Sequence, residues 1–221
     1  MSAIIVEAGS FNPPTRLHIS MLARASHCLT QKEINVSKLL ISPVSDHYAK
    51  PTLSSLVHRI AMLKLALKDA GINAEIDLWE TQQPRYMPSL FLLNHVQHQN
   101  PSDTIYLVIG ADIVRDMALP GNTCWPWCTL KPLLQNYSVI VIERGDIDIG
   151  AIIQKSRLEP YRHKFILCGR IEEAEDPVSS TRVREMCSRS VERETIERYI
   201  YPSVFEYIQR EEIYQKSKIQ K

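Results

Sequence analysis

Six short apolar runs rich in β-branched residues, separated by longer stretches of helical character, constrain this chain more than any other feature. AIIVEA (3–8), SKLLIS (37–42), AEIDL (74–78), TIYLVI (104–109), SVIVI (138–142) and KFILC (164–168) read as strands. Residues 17–29, 53–69, 89–99 and 151–155 read as helices between them. In 53–69, Leu56, Ile60, Leu63 and Leu67 recur at three- and four-residue steps, the stripe of an amphipathic helix. Apolar strands alternating with helices imply βαβ units around a parallel sheet covered on both faces. From residue 179 onward the pattern changes: 180–189 and 202–210 read as charged helices, and no further strand follows.

The expected fold class is therefore α/β, a Rossmann-like doubly wound parallel sheet. It forms a single domain over residues 1–221, with a helical C-terminal subregion from about 179 to 221. In such sheets ligands bind at the carboxyl ends of the strands, near the point where the strand order reverses. A net charge of +1 gives no basic field, which argues against a nucleic-acid partner. No apolar run approaches the ~18 residues of a membrane span, and Met1-Ser2-Ala3-Ile4 lacks the basic start of a signal peptide. The expectation is a soluble, intracellular protein of cytoplasm or nucleus. The five cysteines (Cys28, Cys124, Cys128, Cys168 and Cys187) show no CxxC pair, so they read as buried or idle thiols in a reducing compartment.

Only 7 of the 221 residues are glycine, so each position is informative. Gly9 closes the first strand and opens the loop GSFNPPTRLH (9–18), which runs into a helix. Glycine there permits a tight turn and a close backbone approach to a ligand. The amides of Ser10 and Phe11, with the start of the following helix, suit a phosphate. Thr15 and His18, three residues apart, share one helix face. An ordinary strand–turn–helix with a surface histidine would also satisfy this pattern, and the dinucleotide signature GxGxxG is absent.

The loop resembles the GxFxPxHxxH motif of the nucleotidyltransferase superfamily. It carries Thr15 in place of the first histidine and Leu17 where glycine is frequent. In the form GSFNPxTxxH it is similar to the eukaryotic-type nicotinamide mononucleotide adenylyltransferases. That resemblance leaves His18 as the loop's one histidine and extends over most of the chain. ISPVSDHYAK (41–50) with VHRIAM (57–62) is similar to the family's second-strand loop and the helix after it. It implies that Lys50 faces phosphate and that Tyr48 belongs to the pyridine-nucleotide pocket, while His58 and Arg59 read as structural. Trp79-Glu80-Thr81, after the third strand, resembles the family's TWE(S/T) segment and implies a pyridine-ring pocket. There a cation–π term of roughly 0.5–2 kcal/mol is available to the pyridinium. Trp125 resembles the family's second pocket tryptophan, with Trp127 competing for the place.

Gly110-Ala111-Asp112 resembles the GAD motif, with Gly110 at the phosphate side and Asp112 on ribose hydroxyls; helix capping by Asp112 would coexist with that role. SSTRVR (179–184) resembles ISSTxxR, which assigns Ser180 and Thr181 to phosphate and makes Arg184 a catalytic cation on the same helix face.

The implied reaction joins ATP and nicotinamide (or nicotinate) mononucleotide, giving NAD (or deamido-NAD) and pyrophosphate. His18, Lys50 and Arg184 form its catalytic set. Mg²⁺ is expected to be bound through the ATP phosphates, without protein side-chain ligands. Two alternatives remain at this level: another small-molecule nucleotidyltransferase of the superfamily, and a non-catalytic nucleotide-binding or chaperone-like protein. Preference for the amide or the acid mononucleotide is open, and so is association into a homo-oligomer.

Overall fold

The computed structural model describes residues 2–48, 50–143, 147–169 and 179–215. Six strands form one parallel sheet: β1 (Ala3–Gly9), β2 (Val36–Pro43), β3 (Glu75–Ile76), β4 (Thr104–Gly110), β5 (Ser138–Ile142) and β6 (Phe165–Cys168). Their order across the sheet is β3-β2-β1-β4-β5-β6, the doubly wound arrangement of a Rossmann-like fold. The order reverses between β1 and β4, so the loops leaving these two strands flank the switch point.

Helices among the described residues are α1 (Arg16–Thr30), α2 (Leu56–Ala70), α3 (Ser89–Gln99), α4 (Ala111–Ala118), α5 (Trp127–Asn136), α6 (Ile149–Gln154), α7 (Ser180–Ser188), α8 (Arg193–Glu197) and α9 (Pro202–Arg210). Alternation along β1 divides the core. Ala3 and Ile5 face a cluster with α1, α2 and the C-terminal helices; Ile4 and Val6 face a second cluster with α3, α4 and α5. Ile19, Leu22 and Leu29 of α1 are at most 1% exposed, and each such side chain contributes roughly 1.5–3 kcal/mol on burial. That packing fixes α1, and with it the histidine on its first turn.

Several expectations need correcting. The third run shrinks to two paired residues, because only Glu75 and Ile76 align with Leu40 and Ile41 of β2. Helices α4, α5 and α8 were not foreseen. The buried face of α2 is Arg59, Met62, Leu63, Ala66 and Leu67, so the stripe is rotated away from Leu56 and Ile60. Arg59 is fully buried at its centre because its guanidinium replaces water with protein acceptors. Cys28 of α1 and Cys168 of β6 are not idle thiols: they form a disulfide, while Cys187 is a buried thiol and Cys124 and Cys128 are exposed thiols. The final residues of the expected tail, 216–221, and Val178 ahead of the second signature lie outside the described residues.

Candidate active site

The β1–α1 loop is held from within. Phe11 has φ 46° and is fully buried. Its ring lies where a side chain at residue 9 would go: a Cβ on Gly9 would meet it at 3.2 Å. Gly9 therefore admits the Phe11 ring, whose edge also meets His18 at 5.3 Å between centroids. Asn12, also fully buried, precedes a cis peptide bond to Pro13. Its amide donates to the Thr52 carbonyl, and its Oδ1 accepts from Ser54 N–H at 3.1 Å and Tyr214 OH at 2.7 Å. Burial raises the Tyr214 hydroxyl pKa, and the Ser54 hydroxyl, 3.3 Å away, acts in the opposite direction.

Thr15 caps α1 in a reciprocal box. Its hydroxyl accepts from His18 N–H at 3.5 Å, and its own N–H donates to His18 Nδ1 at 3.0 Å. The hydroxyl also lies 2.7 Å from Nδ1. A backbone N–H only donates, so Nδ1 is the acceptor and the neutral ring carries its proton on Nε2. Thr15 is itself buried, so its structural partner is His18.

Arg59 fastens this loop to the next one. Its guanidinium donates to the carbonyls of Ser54 (3.0 Å), Ser10 (3.1 Å) and Val44 (2.8 Å), and pairs with Asp46 Oδ1 at 2.7 Å. His58 Nδ1 meets Tyr207 OH at 3.0 Å. Both residues hold the scaffold, as their places in the helix suggested.

The second signature folds back onto the first. Ser179 caps α7 by accepting from Arg182 N–H, and Ser180 Oγ donates to the Pro13 carbonyl at 2.8 Å. Arg184 donates to the Asn12 carbonyl at 2.8 Å and to Thr181 Oγ1 at 3.1 Å. Lys50, from the loop after β2, stands close enough to Arg184 that burial first, and the Arg184 charge second, lower its pKa. Neither cation has an ion-pair partner among the described residues. Arg184 and Thr181 also line a cavity of about 390 Å³ with Thr52, Glu185, Ser188, Tyr214 and Gln215. A larger cleft of about 980 Å³ flanks the disulfide, and no candidate residue lines it.

A second group of candidates gathers from the Tyr48 stretch of that same β2–α2 loop and from two further loops. After burial, the neighbouring Cys124 and Glu80 raise the Tyr48 hydroxyl pKa, and Glu80, Tyr48 and Cys124 act on Tyr86 in the same direction. The Tyr48 and Tyr86 rings sit 5.1 Å apart. Burial pushes the Tyr86 hydroxyl up to about 12. Glu80, 2% exposed, opens the 3₁₀ turn Glu80–Gln82. Burial pushes its carboxyl up to about 7, against the Ser45 N–H and Arg59, which favour ionisation, and with Asp77, which does not. Its Oε1 has no hydrogen-bond partner among the described residues. Thr81 Oγ1 donates to the Leu78 carbonyl at 2.6 Å. The Trp79 indole stacks on His95 of α3 at 4.6 Å and 12°.

Trp127 lies under the Arg157 guanidinium at 4.9 Å and against Tyr161, whereas Trp125 has no such ring partner among the described residues. Trp125 is held by its backbone, its N–H on Asn122 Oδ1 and its carbonyl on Arg157. Gly110 caps α4 at the end of β4, and Asp112 lies in that helix's first turn.

The structure thus brings His18, Arg184, Ser180 and Thr181 around one loop, with Lys50 beside Arg184. It also links the Tyr48, Glu80 and Cys124 loops. Sequence reasoning missed the Arg59 clasp, Asn12, His95 and Glu7. Glu7 is 3% exposed on β1, and burial raises its carboxyl pKa well above the ordinary range; a charged residue inside an apolar strand was the available signal.

Comparison with known proteins places the chain further. The cytidylyltransferase-like family pattern matches residues 6–186. A nicotinamide/nicotinic acid mononucleotide adenylyltransferase of Oryza sativa subsp. japonica is 29% identical over 224 residues, covering 97% of this chain and 87% of its own. A Caenorhabditis elegans protein of the same description is 30% identical over 230 residues, with 96% and 97% covered. Two fungal relatives are longer, the chain spanning 55% and 60% of their lengths. The structure of Plasmodium falciparum nicotinic acid mononucleotide adenylyltransferase complexed with NaAD superposes with a TM-score of 0.74. It covers 97% of this chain and 98% of that one at 21% identity, a likeness of fold.

Proposed function

The chain belongs to the nicotinamide/nicotinate mononucleotide adenylyltransferase family, among the cytidylyltransferase-like nucleotidyltransferases, and from that premise we propose the following reaction. ATP and nicotinamide or nicotinate mononucleotide are joined to give NAD or deamido-NAD and pyrophosphate. The observation that carries this reading is Arg184, bonded to the Asn12 carbonyl and to Thr181 at the loop that leads to His18, with Lys50 within reach of its charge and neither cation ion-paired among the described residues. Two like charges held together favour an anion at the same place, and a triphosphate supplies it.

The nucleophile is a phosphate oxygen of the mononucleotide. With a second pKa of about 6 it is largely dianionic at neutral pH and needs no general base. It attacks the ATP α-phosphorus in line; the new P–O bond forms as the bond to the bridging oxygen breaks, and pyrophosphate leaves with that electron pair. No covalent enzyme intermediate intervenes. The protein aligns two anions and offsets charge on the leaving group.

His18 donates from Nε2–H to the ATP phosphates, a role for which the Thr15 N–H on Nδ1 preselects the tautomer. Thr15 serves the phosphates through that histidine. Lys50 meets the triphosphate as a point charge. Arg184 is aimed by its bonds to Asn12 and Thr181. The amides of Ser10 and Phe11 and the α7 start at Ser180 and Thr181 complete the anion cradle, with Gly110 close to the nucleotide at the end of β4.

Tyr48, Trp79, Glu80, Thr81 and Trp125 form the pyridine-nucleotide side, and Asp112 accepts from ribose hydroxyls. Trp125 is preferred to Trp127, whose ring is engaged by Arg157 and Tyr161. Among the described residues no group of three His, Cys, Asp or Glu side chains could hold a metal. A Mg²⁺ would be carried by the triphosphate itself, with water as its other ligands. When bound, that ion neutralises phosphate charge. The whole chain is assigned to one catalytic unit acting on small molecules in the cell interior. No described helix is long and apolar enough to cross a membrane.

The test is kinetic. Lys50→Ala and Arg184→Ala should each lower kcat by roughly 10²–10³-fold, the scale of losing one charge-stabilising donor, with unchanged melting temperature. Near-wild-type turnover in both would refute the assigned anion site.

A further inference from the structure

An indole has two faces, and at Trp79 one of them is already covered. His95 stacks on the ring, the two planes 12° from parallel and the centroids 4.6 Å apart. The histidine belongs to α3, which Leu90, Leu92, Leu93 and Val96 anchor in the core. Asn94, beside it, accepts a hydrogen bond from Tyr137 OH at 2.8 Å, tying α3 to the residue that ends α5. The Trp79 backbone is fixed separately, its N–H donating to Asp77 Oδ1 at 3.1 Å and its carbonyl accepting from Gln83 at 2.9 Å. These bonds fix the main chain without reaching the indole, which is partly buried against the second core cluster. The stack on His95 adds its one ring-to-ring contact among the described residues and sets the tilt of the indole plane.

We propose that His95 is a positioning residue for the pyridine mononucleotide. By covering one face of Trp79 it holds the indole at the angle at which the opposite face receives the pyridine ring. This rests on the assignment of Trp79 to the pyridine pocket. His95 does not touch the substrate: it presets the indole before the ligand arrives, so its effect falls on binding rather than on the phosphoryl-transfer step.

The experiment measures KM for each substrate and kcat in the NAD-forming assay for Trp79→Ala, His95→Ala, His95→Leu, His95→Phe and the Trp79→Ala/His95→Ala double variant. Loss of an aromatic pair corresponds to about three- to tenfold in affinity. His95→Ala and His95→Leu should therefore raise KM for the pyridine mononucleotide by about that factor, with KM for ATP and kcat unchanged. His95→Leu fills the space without a flat ring, so it gives the same reading if the alanine variant folds poorly. His95→Phe restores a planar partner and should return KM to within about twofold of wild type. In the Trp79→Ala background, His95→Ala should add nothing, because the ring it positions is gone.

Wild-type KM in His95→Ala and His95→Leu, failure of His95→Phe to rescue, or full additivity in the double variant would each overturn the inference. If Trp79→Ala itself leaves the pyridine KM unchanged, the pocket assignment fails and the inference falls with it. That result is distinct from a sensitive Trp79 with a silent His95, which refutes the inference alone.

Discussion

Thr15→Val separates two roles that the hydroxyl of Thr15 could play. Valine keeps the β-branch and nearly the volume of a fully buried side chain, and removes only the oxygen. Two contacts are lost: the cap accepting from His18 N–H at 3.5 Å, and the 2.7 Å contact with Nδ1. The Thr15 N–H bond to Nδ1 at 3.0 Å survives, because it is made by the backbone. A helix cap contributes about 0.5–2 kcal/mol, and the long cap distance puts this one near the low end. A destabilisation of ~1 kcal/mol lowers Tm by about 2–4 °C in a chain of this length.

For activity, the imidazole keeps its tautomer but loses one of two restraints. The expected drop in kcat is about 5–10-fold, the equivalent of one neutral hydrogen bond of ~1 kcal/mol. KM for both substrates should stay within about twofold. Differential scanning calorimetry and the NAD-forming assay on the same preparation provide both numbers. A lowered Tm with wild-type kcat would show that the hydroxyl only caps the helix and would refute its orienting role. A fall to the level of His18→Ala would show that it contacts phosphate itself.

Glu80 gives stability a defined pH dependence. Burial holds its carboxyl at about 7 in the folded chain against an ordinary value of 4.5. The folded state keeps a proton that the unfolded chain releases, so its contribution is fully present below about pH 4.5 and declines as pH rises to about 7. The loss is roughly 2–4 kcal/mol. Urea melts of Glu80→Gln should show a flatter profile than wild type across that window, with the remaining slope due to Glu7, which shifts in the same direction; identical slopes would contradict the assigned burial. Trp125→Ala should raise KM for the pyridine mononucleotide with little change in Tm. Trp127→Ala should lower Tm through lost packing on Arg157 and Tyr161, and the reverse pattern would exchange the two roles. Cys28→Ser opens a cross-link between residues 140 positions apart. By loop entropy it should cost about 3–5 kcal/mol, read by denaturant titration against the wild type with and without a dithiol reductant.

The sheet was legible because its strands are buried on both faces and stand out as apolar β-branched runs. β1, β2, β4 and β5 fall within a residue or so of their expected limits. β3 was overestimated because pairing, unlike composition, depends on a neighbour, and β2 offers it only two positions. α4 begins directly where β4 ends, so no turn residue marks the join beyond Gly110 itself. α5 was obscured by Pro132 within it and by the Trp-Pro-Trp before it, both of which count against helix. Apolar periodicity misplaced the α2 face because it counts only apolar residues, whereas Arg59 is buried by four acceptors from two loops.

At the site, the residue types were readable from the two signatures, but their coupling was not. Nothing local in the sequence says that Phe11 fills the space beside Gly9, that Arg184 is aimed by Asn12, or that His95 backs Trp79. The Cys28–Cys168 bond was invisible for the same reason, its partners being brought together only when β6 reaches the edge of the sheet next to α1.

The central claim is that this chain transfers the adenylyl group of ATP to a pyridine mononucleotide. Its most direct test incubates the purified protein with ATP, Mg²⁺ and either nicotinamide or nicotinate mononucleotide, and quantifies dinucleotide and pyrophosphate together. NAD or deamido-NAD and pyrophosphate should form in equal amounts, with both lost in His18→Ala. Turnover with other phosphorylated acceptors but neither pyridine mononucleotide, or no turnover with any acceptor, would contradict it.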